Sequence, residues 1–322
     1  MYYYRYEETV FASLLPDLPL ETADRPAAGT PGLFLIDRDP VSGRSSFCVS
    51  DARQLTARTE DVSWLDPSRM GVPIPALPKR VQHTIDARLL RAVNIRHPRW
   101  RDFARLPDKQ PSGRRRVNLL AVGDVGGTLL TALKLLGGDC IERIGICDLN
   151  QKAVSRWAAE MGQVSWPWDY DALPEVEPVS DEDLFRCDVF LFAATRGVPP
   201  VGGGVRDVRM AQFSANRPLV EQYARQARQA GFRGLFIVLS DPVDPLCKAA
   251  YLASNQGEDG QWDGLGLRAE QIQGFGLGVM NARAAYYAKQ DPRFRSFLTD
   301  GRSYGPHGQG LVIANSLTHY DD

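Results

Sequence analysis

At residues 117–127 an apolar run, VNLLAVG, leads into Asp124-Val125-Gly126-Gly127 and the helix-like segment GTLLTALKLLG. Counted from Ala121, this turn has AxGxxG spacing between a strand and a helix, the arrangement that brings backbone amides to a pyrophosphate. Gly123 lets the amides approach closely, Gly126 lets the helix pack on the strand, and the helix N-terminus favours negative charge. Ala121 replaces the usual first glycine and Asp124 adds a carboxylate beside the expected phosphate, so a purely structural turn is the competing reading. Asp148 ends the next strand-like run, 22 residues beyond Gly126. A carboxylate there accepts hydrogen bonds from ribose hydroxyls and disfavours a 2′-phosphate, which points to NAD rather than NADP. The alternative is an aspartate that caps the following helix.

His307 lies in Gly305-Pro306-His307-Gly308, away from any strong helix signal. An imidazole flanked by glycines is exposed or catalytic rather than core, and it is the side chain best suited to move a proton near neutral pH. Arg283 sits in the helix-like GVMNARAAYYAK. Its guanidinium can hold a carboxylate bidentately or serve as an ordinary surface charge. His83, His97 and His319 have no partners at ligand spacing, so no metal site is expected. Neither the GxSxG nor the GxxxxGKS/T motif occurs.

These residues need a scaffold, and the pattern after residue 117 supplies one. RIGICDLN, DVFLFAAT and GLFIVLSDP read as further buried strands, separated by helices over QKAVSRWAAEM and from about residue 208 to 230. Strands this apolar are covered on both faces, and the intervening helices make right-handed crossovers in a parallel sheet. The expected fold class is therefore α/β with a doubly wound parallel sheet of Rossmann type. The run Gly202–Gly204 reads as a mobile loop that closes over a ligand.

The first 110 residues are proline-rich, with short strand-like pieces such as GLFLIDRD and SSFCVSD and one helix over VQHTIDARLLRAV. They predict a small N-terminal α+β region built on an antiparallel unit, closed by the linker LPDKQPSGRRR. We divide the chain into an extension (1–110), a dinucleotide-binding domain (117–255) and a partial substrate domain (256–322). A net charge of -1 argues against nucleic acid or an anionic membrane as partner. Five scattered cysteines, no secretory start and no membrane-spanning run predict a soluble cytoplasmic protein with reduced thiols.

Taken in order, the segments from about 117 to 316 resemble the lactate/malate dehydrogenase family. VGDVGGTLLTALKLL looks like its cofactor loop and first helix, ICDLN its ribose-binding strand end, and AATRGVPPVGGGVRDVRM its catalytic loop. VLSDPVDPLCKAAY is similar to its SNPVD segment, QIQGFGLGVMNARAAYYA to the segment with the substrate-binding arginine, and GPHG to the GEHG that carries the acid/base histidine.

The resemblance implies NAD as cofactor, contacted by Gly123, Gly126, Asp148, Ala194 and Thr195. It implies a small carboxylate as substrate, with homo-oligomers allowed. His307 would exchange the hydroxyl proton and Arg283 would anchor the carboxylate. Arg206 would act from the mobile loop, with Arg209 as the competing alignment. The aspartate that orients the family's histidine falls at Met280, and its carbonyl-contacting asparagine at Asp241. Pro200 stands where malate-type enzymes use a second arginine, and the chain stops 15 residues after His307, short of a whole substrate domain. The expected function is hydride transfer between nicotinamide and a small 2-hydroxy/2-oxo acid. A catalytically impaired nucleotide-binding or regulatory member is the alternative. If turnover is retained, Asp241 takes over the task lost at Met280.

Overall fold

The computed structural model describes residues 1–26, 32–57, 59–60, 76–105, 113–197, 207–308 and 310–316. The chain forms two compact units, one of residues 1–112 with 255–270, the other of 113–254 with 271–322.

The first unit holds β1 (Tyr2–Tyr6), β2 (Thr9–Ser13), β3 (Glu21–Thr22), β4 (Leu33–Ile36), β5 (Ser46–Cys48), α1 (Lys79–Asp86) and β6 (Arg91–Asn94). Its sheet runs β3-β1-β2-β4-β6-β5. β2, β4 and β6 are mutually parallel while the outer pairings are antiparallel. The expected antiparallel pairing thus holds for the outer strands but not for the centre of the sheet, and the reason lies in β4. Phe34 and Ile36 enter one core with Val81 and Ile85 of α1, while Leu33 and Leu35 enter another with Trp100 and Phe103. A strand apolar on both faces belongs at the centre of a covered sheet. The helix expected over 81–93 is also shorter than its periodicity implied. It ends at Asp86, Arg88 turns the chain at φ 59°, and Arg91–Asn94 joins the sheet beside β4. Ala92 and Val93, both 0% exposed, feed opposite cores, which only a strand permits.

The second unit contains β7 (Arg115–Leu120), α2 (Asp124–Leu136), β8 (Ile141–Cys147), α3 (Gln151–Gly162), β9 (Glu175–Pro178) and β10 (Val189–Phe192). It continues through α4 (Val208–Gln229), β11 (Leu235–Val238), α5 (Val243–Ser254), β12 (Ile272–Gly274), α6 (Leu277–Ala288) and the hairpin β13 (Arg302–Tyr304) and β14 (Val312–Ala314). β7 to β12 make one all-parallel sheet in the order β12-β11-β10-β7-β8-β9. The four strands expected from residues near 117, 143, 188 and 234 are neighbours in it, as the doubly wound reading requires. The chain fills one side through β9, then returns to β10. The carboxyl ends of β7 and β10 therefore flank the point where winding reverses, the usual place for a ligand in such sheets. Among the described residues no helix is long and apolar enough to cross a membrane, and no cluster of metal-ligating side chains occurs.

Burial pushes the Cys147 thiol up to about 11 and the thiols of Cys187 and Cys247 up to about 12, whereas Cys48 and Cys140 are exposed. A raised pKa means less thiolate, roughly one part in a thousand or less at pH 8 for the three covered thiols, and thiolate is the reactive form. Iodoacetamide should label Cys48 and Cys140 of the native protein first. Mass spectrometry showing Cys187 or Cys247 labelled as fast would contradict this packing.

Candidate functional site

The turn after β7 is built by backbone geometry. Ala121 adopts φ 73°, a left-handed conformation that side-chain-bearing residues rarely take, and its N–H donates to Cys147 O at 2.8 Å. A Cβ on Gly126 would sit 2.0 Å from the Ala121 carbonyl oxygen, and one on Gly127 would sit 2.4 Å from Trp157 Cζ2. The Trp157 indole N–H donates to Val122 O at 3.0 Å, closing α3 over the turn. These two glycines thus permit packing. Gly123 differs: it caps α2, and a Cβ there would meet no atom within 4 Å. The open space lies beside the first turn of α2, where helix amides lack intrahelical partners. Asp124 is exposed.

Asp148, just past β8, is half-buried. Its Oδ2 accepts from Val122 N at 2.9 Å and its Oδ1 from Asn150 N at 2.8 Å, so it braces the glycine turn from the neighbouring strand. The cap of α3 is Asn150, whose Oδ1 accepts from Ala153 N, and not Asp148. A carboxylate offers about four lone-pair positions, so two remain for a ligand. Asp148 lines a cleft of about 660 Å³ at the carboxyl ends of β7, β8 and β9, together with Leu120, Leu149, Asp181 and Tyr223.

On the other side of the reversal point, the segment after β10 is tied to the segment after β11. Ser240 Oγ donates to Ala194 O. Asn216 of α4, 1% exposed, accepts from Thr195 Oγ1 at 3.2 Å and Arg196 N at 2.8 Å, and donates to Asp241 O at 2.9 Å. Ala194, Thr195 and Asp241 are thereby held as one edge. Asn216 was missed in the sequence. Its signal was there, since Gln212, Asn216, Val220, Tyr223 and Ala227 form the buried stripe of α4 and two of them are polar.

His307 lies in the loop of the β13–β14 hairpin, after Gly305 at φ 87°. Its Nδ1 is 3.2 Å from Asp241 Oδ1, an ion-pair separation without the alignment of a formed hydrogen bond, and that nitrogen is shielded from solvent. Asp244, in the first turn of α5, accepts the His307 backbone N–H at 2.9 Å. The Arg209 guanidinium donates to His307 O from the first turn of α4. Gly276 closes the site, because a Cβ there would lie 2.9 Å from the Cβ and Cγ of His307. The cluster thus joins Asp241, Asp244, Arg209 and His307 from two helix starts and a hairpin.

Arg283 is not drawn into this cluster. It is exposed on α6, on the helical face of Gly276 and Met280, about 10 Å along the axis from Gly276. Arg206 and Pro200 lie outside the described residues.

No family model matches the chain. Curated relatives include the L-lactate dehydrogenase of Treponema denticola, 24% identical over 205 residues, covering 64% of this chain and 58% of the relative. L-lactate dehydrogenase 1 of Lactobacillus acidophilus is 26% identical over 146 residues, covering 45% of this chain and 42% of the relative. The chain therefore spans little more than half the length of the first relative and less of the second. Similar solved structures include the minor L-lactate dehydrogenase of Enterococcus mundtii (21% identity, TM-score 0.47, 62% of this chain and 57% of that one). The malate dehydrogenase of Picrophilus torridus gives 20% identity, TM-score 0.47, and coverage of 62% and 58%. The chain resembles the lactate/malate dehydrogenase family over 64% of its length in the first of these relatives.

Proposed function

We propose that this chain binds NAD(H) across the carboxyl edge of its parallel sheet and catalyses hydride transfer to or from a small 2-oxo or 2-hydroxy acid. The observation that carries the reading is the pairing of His307 with Asp241 on the edge that also holds the glycine turn. The open space at Gly123 suits a pyrophosphate, and Asp148 keeps acceptor capacity for ribose hydroxyls. The dinucleotide, when bound, supplies the hydride chemistry. The protein's part is to orient and to move a proton. Asp241 faces Nδ1, so Nε2 is the ring nitrogen left to exchange a proton with the substrate oxygen. Arg206 keeps the task of the loop arginine, and Arg209, whose guanidinium bonds to His307 O, remains the competing candidate.

A second reading, a nucleotide-binding protein without turnover, is favoured by Arg283. The expected carboxylate anchor stands exposed, and Asp241 brings negative charge to where an anionic substrate would bind. NADH fluorescence titration followed by a screen of 2-oxo acids separates the two. Binding with oxidation supports the enzyme, binding alone supports the second reading, and no binding rejects both.

Asp148→Ala should weaken NADH binding about tenfold or more, as expected for hydrogen bonds to a charged group, and should narrow the preference for NADH over NADPH. The same titration checks it. Wild-type preference for NADPH would remove Asp148 from the cofactor site.

A further inference from the structure

The cleft beside Asp148 contains a second carboxylate that no motif identified. Asp181 follows β9, the strand next to β8, in a short 3-10 turn that starts at Asp181. Val179 N bonds to Ile146 O at 3.0 Å, so the pairing continues past the strand ends and sets Asp181 one step beyond the level of Asp148. Adjacent strands lie about 4.8 Å apart and one residue adds about 3.3 Å, which puts the two backbone positions about 6 Å apart on the same rim of the cleft. Both act on the same two groups at the cleft wall, Cys147 and Tyr223.

Asp181 is held in place. Its Oδ1 accepts from the Tyr223 hydroxyl at 3.0 Å and its Oδ2 from Gln226 Nε2 at 3.2 Å. Burial, reinforced by Asp181, pushes the Tyr223 hydroxyl above the usual tyrosine range, so it remains a donor. The lining mixes polar side chains, Gln151, Ser180 and Gln222, with apolar ones, Leu120, Pro178, Val179, and Leu149, which is 99% exposed. A fully exposed leucine on a cleft lip is surface that a flat apolar ligand would cover. Apolar surface combined with oriented polar groups makes a typical small-ligand cleft.

Building on the dinucleotide reading above, we propose that Asp181 reads the base at the adenosine end, its carboxylate accepting the exocyclic amino group of adenine while Asp148 takes the ribose. Its bonds to Tyr223 and Gln226 use one acceptor position on each oxygen, and of the roughly four positions a carboxylate offers two remain on a residue that lines the cleft. A base with a carbonyl at that position would face acceptor to acceptor, and a site built to receive a donor rejects its replacement.

The test compares NADH with its hypoxanthine analogue, in which a carbonyl replaces the amino group, by fluorescence titration of the full chain. Wild-type protein should bind NADH about tenfold more tightly or better, the scale of a hydrogen bond to a charged acceptor. Asp181→Asn and Asp181→Ala should both shrink that ratio below about threefold, with thermal midpoints confirming that each variant is folded. Equal wild-type affinities, or a ratio retained in both variants, would overturn the assignment while leaving the dinucleotide reading intact. Failure of both dinucleotides to bind would instead remove that reading and this one together.

Discussion

His307→Gln should lower kcat about a thousandfold, within the range typical for loss of a general acid/base, while NADH affinity stays within about twofold because the ring lies outside the cleft that Asp148 lines. The companion variant Asp241→Asn should lower kcat roughly ten- to a hundredfold. Asp241 faces Nδ1, so its carboxylate favours the tautomer with the proton on that nitrogen and steadies the ring as it gains charge. An amide can do neither as well. The two effects should not add, since a carboxylate that acts through the imidazole has nothing to do once the imidazole is gone. Asp241→Asn introduced into His307→Gln should therefore cost less than about twofold more. Steady-state kinetics on whichever acid the screen identifies makes the comparison. Unchanged or improved turnover in Asp241→Asn would end the pairing.

The second large effect separates the glycines of the nucleotide turn. Gly126→Ala places a methyl group 2.0 Å from the Ala121 carbonyl oxygen. The obstacle is backbone already held at φ 73°, so it has little freedom to retreat. A loss of about 2–3 kcal/mol in unfolding free energy is expected, at the upper end for overpacking. Gly123→Ala meets no atom within 4 Å and has φ -69°, which alanine adopts readily. Its stability should change by less than about 1 kcal/mol. The methyl nonetheless occupies the space assigned to the pyrophosphate, so NADH affinity should fall at least about tenfold. Urea unfolding and NADH titration of both variants distinguish a packing glycine from a ligand glycine. A Gly123→Ala protein that binds NADH normally would show that the turn is structural only.

Much of the second unit was legible in the sequence because its signals are local. The runs at 117–123, 143–150, 188–195 and 234–242 are apolar on both faces, and only a covered parallel sheet satisfies that. The spacing of Ala121, Gly123 and Gly126 fits one strand-to-helix turn, and Asp148 falls at a strand end whatever the details of packing. In the first unit the same reasoning overran, since LLRAV satisfies helix and strand periodicities alike. Burial of Ala92 and Val93 in opposite cores decided for the strand.

What only the tertiary structure decided are the meetings between distant side chains. Asp241 and His307 are 66 residues apart, and their approach depends on how a hairpin folds back over the start of α5. Asn216 joins the ends of two strands because α4 crosses under both. Arg209 was selected near His307 by the position of one helix start, and Asp181 was brought beside Asp148 by the register of β8 and β9. Periodicity records which face of an element is buried. It carries no record of which elements that face will meet, because that follows from crossover connections and strand order, summed over the whole chain.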